Sequence, residues 1–144
     1  MKKNLFIDLF AGCGGMAKGF CDAGMECVAA NEFDENAAIT YRVNFNHPLV
    51  VGDITHPEVK QQLYDVVGDK KVDVVVGGFP CQGFSMSGKR LVDDPRNQLF
   101  REFVEVVKIT KPKVVVGENV EGILSMDNGE VVKQIIEEFS NLGY

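Results

Sequence analysis

Short runs of valine and other apolar residues alternate along this chain with longer amphipathic stretches, and no other property restricts its fold so strongly. The apolar runs lie at residues 5–9, 27–30, 49–51, 72–76 and 114–116. Residues 16–23, 34–46, 58–67, 98–110 and 131–142 carry helical spacing. The first of these ends near Gly24, and the second has Asp34 as its N-cap. Valine-rich strands followed by helices predict a doubly wound α/β fold, a mostly parallel sheet covered on both faces. Right-handed crossovers then bring the loops that follow the strands to one edge. The unusual residue clusters all fall immediately after strands, and so at that edge. Gly143-Tyr144 reads as the turn into another strand, so the sheet is expected to be incomplete on its C-terminal side.

At 144 residues, 45% apolar and 25% charged, the chain is long enough for one domain with its own core. Its apolar runs are far too short to span a membrane. After Met1-Lys2-Lys3 the apolar residues are interrupted at Asp8, which is not a signal-peptide pattern. The formal charge of −6 argues against nucleic-acid binding by overall attraction, so any DNA contact needs a local basic surface or a partner. Cys13, Cys21, Cys27 and Cys81 show no paired CxxC spacing for zinc, and nothing supports a disulfide framework. Free thiols in a reducing cytoplasm are expected. His47 and His56 each adjoin a proline in a loop and read as ordinary surface residues.

The first strand runs into Asp8-Leu9-Phe10-Ala11-Gly12-Cys13-Gly14-Gly15, a glycine-rich turn that opens a helix. Glycines let the backbone turn sharply and approach a ligand, and a helix start offers free amides. Residues 12–17 also satisfy the dinucleotide pattern GxGxx[G/A]. Glu32 and Phe33 follow the second strand, and Gly52, Asp53 and Ile54 follow the third. A carboxylate can accept both ribose hydroxyls, an aromatic ring can cover adenine, and a second carboxylate can accept from the exocyclic amine. The three loops describe an adenosine site, which nicotinamide dinucleotides and S-adenosylmethionine share. Residues 10–15, with the acid at Asp8, lean towards the methyl donor.

The fourth strand ends in Gly77-Gly78-Phe79-Pro80-Cys81-Gln82-Gly83-Phe84-Ser85. A cysteine presented by a rigid proline between glycines can act as a nucleophile where positive charge or helix amides favour its thiolate. The bland alternative is a small buried apolar residue. Glu118-Asn119-Val120 follows the fifth strand, and Glu118 alone could equally be a surface acid.

In order and spacing, residues 8–15, 78–82 and 118–120 resemble the cofactor, nucleophile and Glu-Asn-Val motifs of cytosine-5 DNA methyltransferases, and the likeness spans essentially the whole chain. The resemblance implies the Rossmann-like fold of S-adenosylmethionine-dependent methyltransferases. It also implies double-stranded DNA with a flipped cytosine as substrate. For S-adenosylmethionine it implies contacts from Asp8, Phe10, Ala11, Gly12, Cys13, Gly14 and Gly15. Glu32, Phe33, Asp53, Ile54, Pro80 and Leu99 would complete that site. Cys81 would attack carbon 6 of cytosine so that carbon 5 takes the methyl group, and Glu118 would hold or protonate ring nitrogen 3. Pro80 would shape the loop and Asn119 would brace it. Residues 82–96 would close over DNA, with Gln82, Ser85, Ser87, Lys89, Arg90 and Arg96 meeting phosphates. Asp93 and Asp94 dilute that positive charge.

Such enzymes continue with an arginine-containing motif, a variable target-recognition domain and a C-terminal segment that completes the cofactor domain. The chain is therefore expected to be a truncated or split piece, weak or inactive alone, with a second chain as one source of the remainder. Its direct start at the catalytic domain points to a bacterial or phage restriction-modification enzyme. Three alternatives stay open. Similar enzymes that methylate transfer RNA tend to carry a second proline where this chain has Phe79. An NAD-dependent oxidoreductase would explain Gly12, Gly14, Ala17 and Glu32 but leaves Pro80-Cys81 and Glu118-Asn119-Val120 without a role. A non-catalytic remnant would keep only the fold and ligand.

Overall fold

A computed structural model describes residues 3–80 and 98–144. Five parallel strands, β1 (Leu5–Leu9), β2 (Glu26–Glu32), β3 (Leu49–Val51), β4 (Val74–Gly77) and β5 (Val114–Gly117), form one sheet in the order β3-β2-β1-β4-β5. The chain winds outward from β1 in one direction through β2 and β3, then returns and winds the other way through β4 and β5. The reversal lies between β1 and β4, whose C-terminal ends meet at Leu9 and Gly77. Ligand crevices of open α/β sheets form at such reversals.

The helices are α1 (Gly15–Asp22), α2 (Glu35–Asn44), α3 (Pro57–Val67), α4 (Gln98–Thr110) and α5 (Glu130–Asn141). Alternation along the strands divides the core in two. Ile7, Leu9 and Val75 pack with Leu63, Phe100, Phe103 and Val106 from α3 and α4. Phe6, Ala30, Val74 and Val76 pack with Ala17 and Tyr41 from α1 and α2 on the other face. Local chemistry sets the helix ends. The Asp34 carboxylate accepts from the Ala37 amide at 2.7 Å as the N-cap of α2. Pro57 occupies the first turn of α3, where its missing amide costs nothing, and Gly68 closes that helix. Lys60 ties α3 to α4 by pairing with Glu102 and, at 2.7 Å, with Glu105.

The expected bounds are met for β1, β3 and α4, and the sheet is doubly wound as predicted. Elsewhere the structure differs. β4 starts at Val74 because Asp73 is used as a tie: its carboxylate accepts from the Leu5 amide and its carbonyl from the Lys113 amide, both at 2.8 Å. β2 extends to Glu32, which carries the ladder into the site. Two short 3-10 turns, Glu121–Leu124 and Met126–Gly129, occupy a stretch for which the sequence suggested no element. Gly143, at φ 94°, closes α5, and the Tyr144 amide donates back to the Phe139 carbonyl as the helix turns off. His47 is not an ordinary surface residue. It is half-buried, stacked on Phe45, and its Nδ1 lies 3.1 Å from the Tyr41 hydroxyl. His56 is exposed, as expected.

Candidate active site at the sheet edge

The turn after β1 begins with a strained residue. Phe10 has φ 57°, a left-handed conformation that costs a non-glycine residue about 1 kcal/mol or more. Gly12 and Gly14 follow at φ 56° and 95°. The turn is held by the Ala11 amide on the Asn31 carbonyl at 3.0 Å and by the Gly14 amide on the Ala11 carbonyl at 2.9 Å. A Cβ at Gly14 would run into the Phe45 ring and stand 3.0 Å from Tyr41 Cδ2.

Glu32 ends β2 and is almost fully buried. One carboxylate oxygen accepts from the Gly12 amide at 2.7 Å, and the other accepts from the Asp34 amide at 2.8 Å. The Glu32 carbonyl accepts from the Gly52 amide at 2.9 Å. Beyond Gly52, Asp53 is exposed, and its carboxylate takes the Thr55 amide at 2.9 Å. That bond holds its pKa below the ordinary carboxylate value, so Asp53 is a committed acceptor. Phe33 is 70% exposed and Ile54 is buried.

β4 and β5 end in register at Gly77 and Gly117, which sets the two following loops side by side. Phe79 packs against Phe100 and Phe103 and thereby anchors the β4 loop to α4. The Asn119 side-chain Nδ2 donates to the Phe79 carbonyl at 2.6 Å, and Asn119 Oδ1 accepts from the Val120 amide at 3.0 Å. Gly78 lies under the exposed Glu118: a Cβ there would be 2.9 Å from Glu118 Oε2. Pro80 is exposed at the edge of the described residues.

These loops enclose a cavity of about 320 Å³, within the range of small-molecule sites. Its walls include Phe10, Glu32, Phe33, Asp53 and Ile54 from the first three loops, Pro80 from the fourth, and Leu99 from α4. Two wall residues were not foreseen, Asn31 and Gly78. The only local signal for Asn31 was a polar residue inside an apolar strand, one position before Glu32. Ala11, Gly12, Cys13, Gly14 and Gly15 form the adjoining turn rather than the wall. Cys81, Gln82, Ser85, Ser87, Lys89, Arg90 and Arg96 lie outside the described residues. No group of three or more metal-ligating side chains occurs among the described residues.

Asp8 is expected at the cofactor but is fully enclosed, away from the cavity wall, and neither carboxylate oxygen has a hydrogen-bond partner. Strand alternation puts it on the face of Phe6, under α1. Burial pushes its pKa up to about 7, although the nearby Ala17 amide partly offsets this and Glu32 adds repulsion. A carboxyl raised above its unfolded value favours folding while protonated. That contribution is complete below about pH 4 and lost as pH rises to about 7. Asp8→Asn is therefore expected to gain stability relative to the parent chain, on the order of 2 kcal/mol, between pH 5 and pH 8. Thermal melts at the two pH values check this, and a pH-independent difference refutes it.

The sequence profile of the family described as C-5 cytosine-specific DNA methylase matches residues 5–144. The type II methyltransferase M1.HphI of Haemophilus parahaemolyticus is 45% identical over 143 residues, covering 96% of this chain and 38% of its own length. M.DdeI of Desulfomicrobium norvegicum is 49% identical over 144 residues, covering 96% of this chain and 34% of its own. An E. coli prophage protein, solved as a candidate DNA modification methyltransferase, superposes with TM-score 0.73 at 31% identity, over 96% of this chain and 38% of its own. Spodoptera frugiperda DNMT2 gives 0.66 at 26% identity, over 96% and 41%. The chain thus spans little more than a third of its curated relatives. With a profile match over nearly its full length, the chain belongs to the C-5 cytosine-specific DNA methylase family.

Proposed function

We propose that this chain is the S-adenosylmethionine-binding and catalytic part of a DNA cytosine-5 methyltransferase. It would serve a bacterial or phage restriction-modification system in the cytoplasm. The remaining polypeptide, or a second chain, supplies target recognition and completes the cofactor domain. The carrying observation is the convergence of Glu32, Phe33 and Asp53 on one cavity whose next wall is Pro80, with Glu118 and Asn119 beside it. No helix among the described residues is long and apolar enough to cross a membrane.

The donor set fits the cofactor. Each Glu32 oxygen spends one lone pair on a backbone amide and keeps another for a ribose hydroxyl. Phe33 offers an aromatic face for adenine, and ionised Asp53 accepts from its amine. When bound, S-adenosylmethionine supplies an electrophilic methyl group. In our reading the Cys81 thiolate forms a bond to carbon 6 of a flipped cytosine, and the displaced electron pair makes carbon 5 nucleophilic. Glu118 stabilises the charge that reaches ring nitrogen 3 by holding a proton there. After methyl transfer, loss of the carbon 5 proton and departure of the thiolate restore the ring double bond. Asn119 holds the Phe79 carbonyl, one residue before Pro80. Residues 82–96 would supply the DNA contacts through Gln82, Ser85, Ser87, Lys89, Arg90 and Arg96.

Calorimetric titration tests the cofactor half of this reading. S-adenosylhomocysteine is expected to bind saturably, and Glu32→Ala to weaken it by at least about 100-fold, because charge-assisted bonds to the ribose are lost. Binding of NAD in place of S-adenosylhomocysteine would overturn the assignment.

A further inference from the structure

We propose that Asn31 is a positioning residue that sets the adenine end of the cofactor pocket, by fixing where Asp53 stands relative to Glu32. The inference rests on the cofactor reading above. Asn31 is the penultimate residue of β2, paired with Val50, and is 2% exposed. Its side-chain amide donates to the carbonyls of Val50 and Gly52, both at 3.1 Å. One NH₂ group therefore spans the point where β3 leaves the sheet. The side chain continues the ladder beyond its last paired residues, Glu32 and Val51.

The chain at Gly52 has little freedom to settle elsewhere. Gly52 sits at φ 142°, and a Cβ there would stand 2.8 Å from Val59 Cγ2, so the turn is pressed against α3. Holding the Gly52 carbonyl thus orients the next residue, Asp53, whose other restraints lie within its own turn, the Thr55 amide on its carboxylate at 2.9 Å and the His56 amide on its carbonyl at 3.0 Å. The Glu32 carbonyl shares the Gly52 turn, but its carboxylate is secured independently, by the Gly12 and Asp34 amides. The ribose acceptor and the base acceptor consequently have separate supports, and Asn31 serves the second.

No other small side chain meets this demand. Aspartate would face two carbonyls with no donor, and serine has one donor for two acceptors. Alanine would leave both carbonyls to find water or to shift. The expected defect is one of base discrimination rather than of general affinity.

The test compares S-adenosylhomocysteine with S-inosylhomocysteine, its 6-oxo analogue, by calorimetry on the parent chain, Asn31→Ala, Glu32→Ala and Asp53→Ala. The parent chain is expected to prefer the 6-amino ligand at least about 10-fold, since a site built to accept from an amine rejects its replacement. Asn31→Ala should reduce that preference to within about 3-fold, and Asp53→Ala should add little to it in the double variant. Glu32→Ala should weaken both ligands by the same factor and keep the preference. Equal weakening of both ligands by Asn31→Ala, or a lowered melting temperature with the preference intact, would overturn the proposal. Should Asn31→Ala fail to fold, Asn31→Ser carries the same comparison. A parent chain that binds neither ligand, alone and when complemented by the remainder of the enzyme, removes the cofactor reading itself. One that binds both without preference removes Asp53 as the base acceptor, and the role of Asn31 with it, while the ribose end of the cofactor reading stands.

Discussion

Cys81→Ala is expected to lower methyl transfer by on the order of 10⁴-fold or more, once this chain acts together with the remainder of the enzyme, while leaving S-adenosylhomocysteine affinity within about twofold. The reason is electronic. In the proposed mechanism carbon 5 of cytosine is a poor nucleophile until a thiolate adds at carbon 6, and alanine supplies no thiolate. Glu118→Gln should cost about 10²- to 10³-fold, because the amide still reaches ring nitrogen 3 but no longer delivers a proton. Methyl incorporation into duplex DNA, with and without the complementing part, provides the measurement. Undiminished activity in Cys81→Ala would make that thiol a packing residue. Silence of the complemented parent chain would favour a non-catalytic remnant.

Gly14→Ala is expected to produce the largest loss of stability from a single methyl group, about 3 kcal/mol, or roughly 10 °C in melting temperature for a domain of this size. Two costs combine. At φ 95° an L residue is strained before it touches anything. Its Cβ would then enter the Phe45 ring, which is stacked on His47 and packed at a tilt against Tyr41 and cannot swing aside without breaking that cluster. Gly15→Ala is the control, because a Cβ there meets nothing within 4 Å. Equal melting temperatures for the two variants would contradict the account.

These contrasts show which inferences sequence supports and where it stops. β1, β3 and α4 were legible because each is decided locally, by an apolar run or by helical spacing between breakers. Glu32, Phe33 and Asp53 could be chosen because each ends a strand or lies within two residues of a strand end, and winding alone brings such positions together. Asn31 could not, since its partners lie 19 and 21 residues away on a strand whose register had to be known first. Asp8 carried a motif, yet its enclosure depends on which face of β1 it occupies and on how closely α1 lies over it. His47 looked like loop surface until the end of α2 brought Tyr41 and Phe45 against it. In residues 121–129, Asp127 and Asn128 adopt φ of 46° and 53°, conformations that Asp and Asn tolerate but that no periodicity announces.

The two amides on Glu32 have a thermodynamic consequence. A free glutamate forfeits up to about 2 kcal/mol of rotamer entropy when a ligand immobilises it. Here Gly12 and Asp34 have already immobilised the side chain during folding, so docking a ribose need not order it again. On the proposed cofactor reading the acceptor is oriented before the ligand arrives, and the entropy of fixing that orientation belongs to the stability of the fold and not to the affinity of the site.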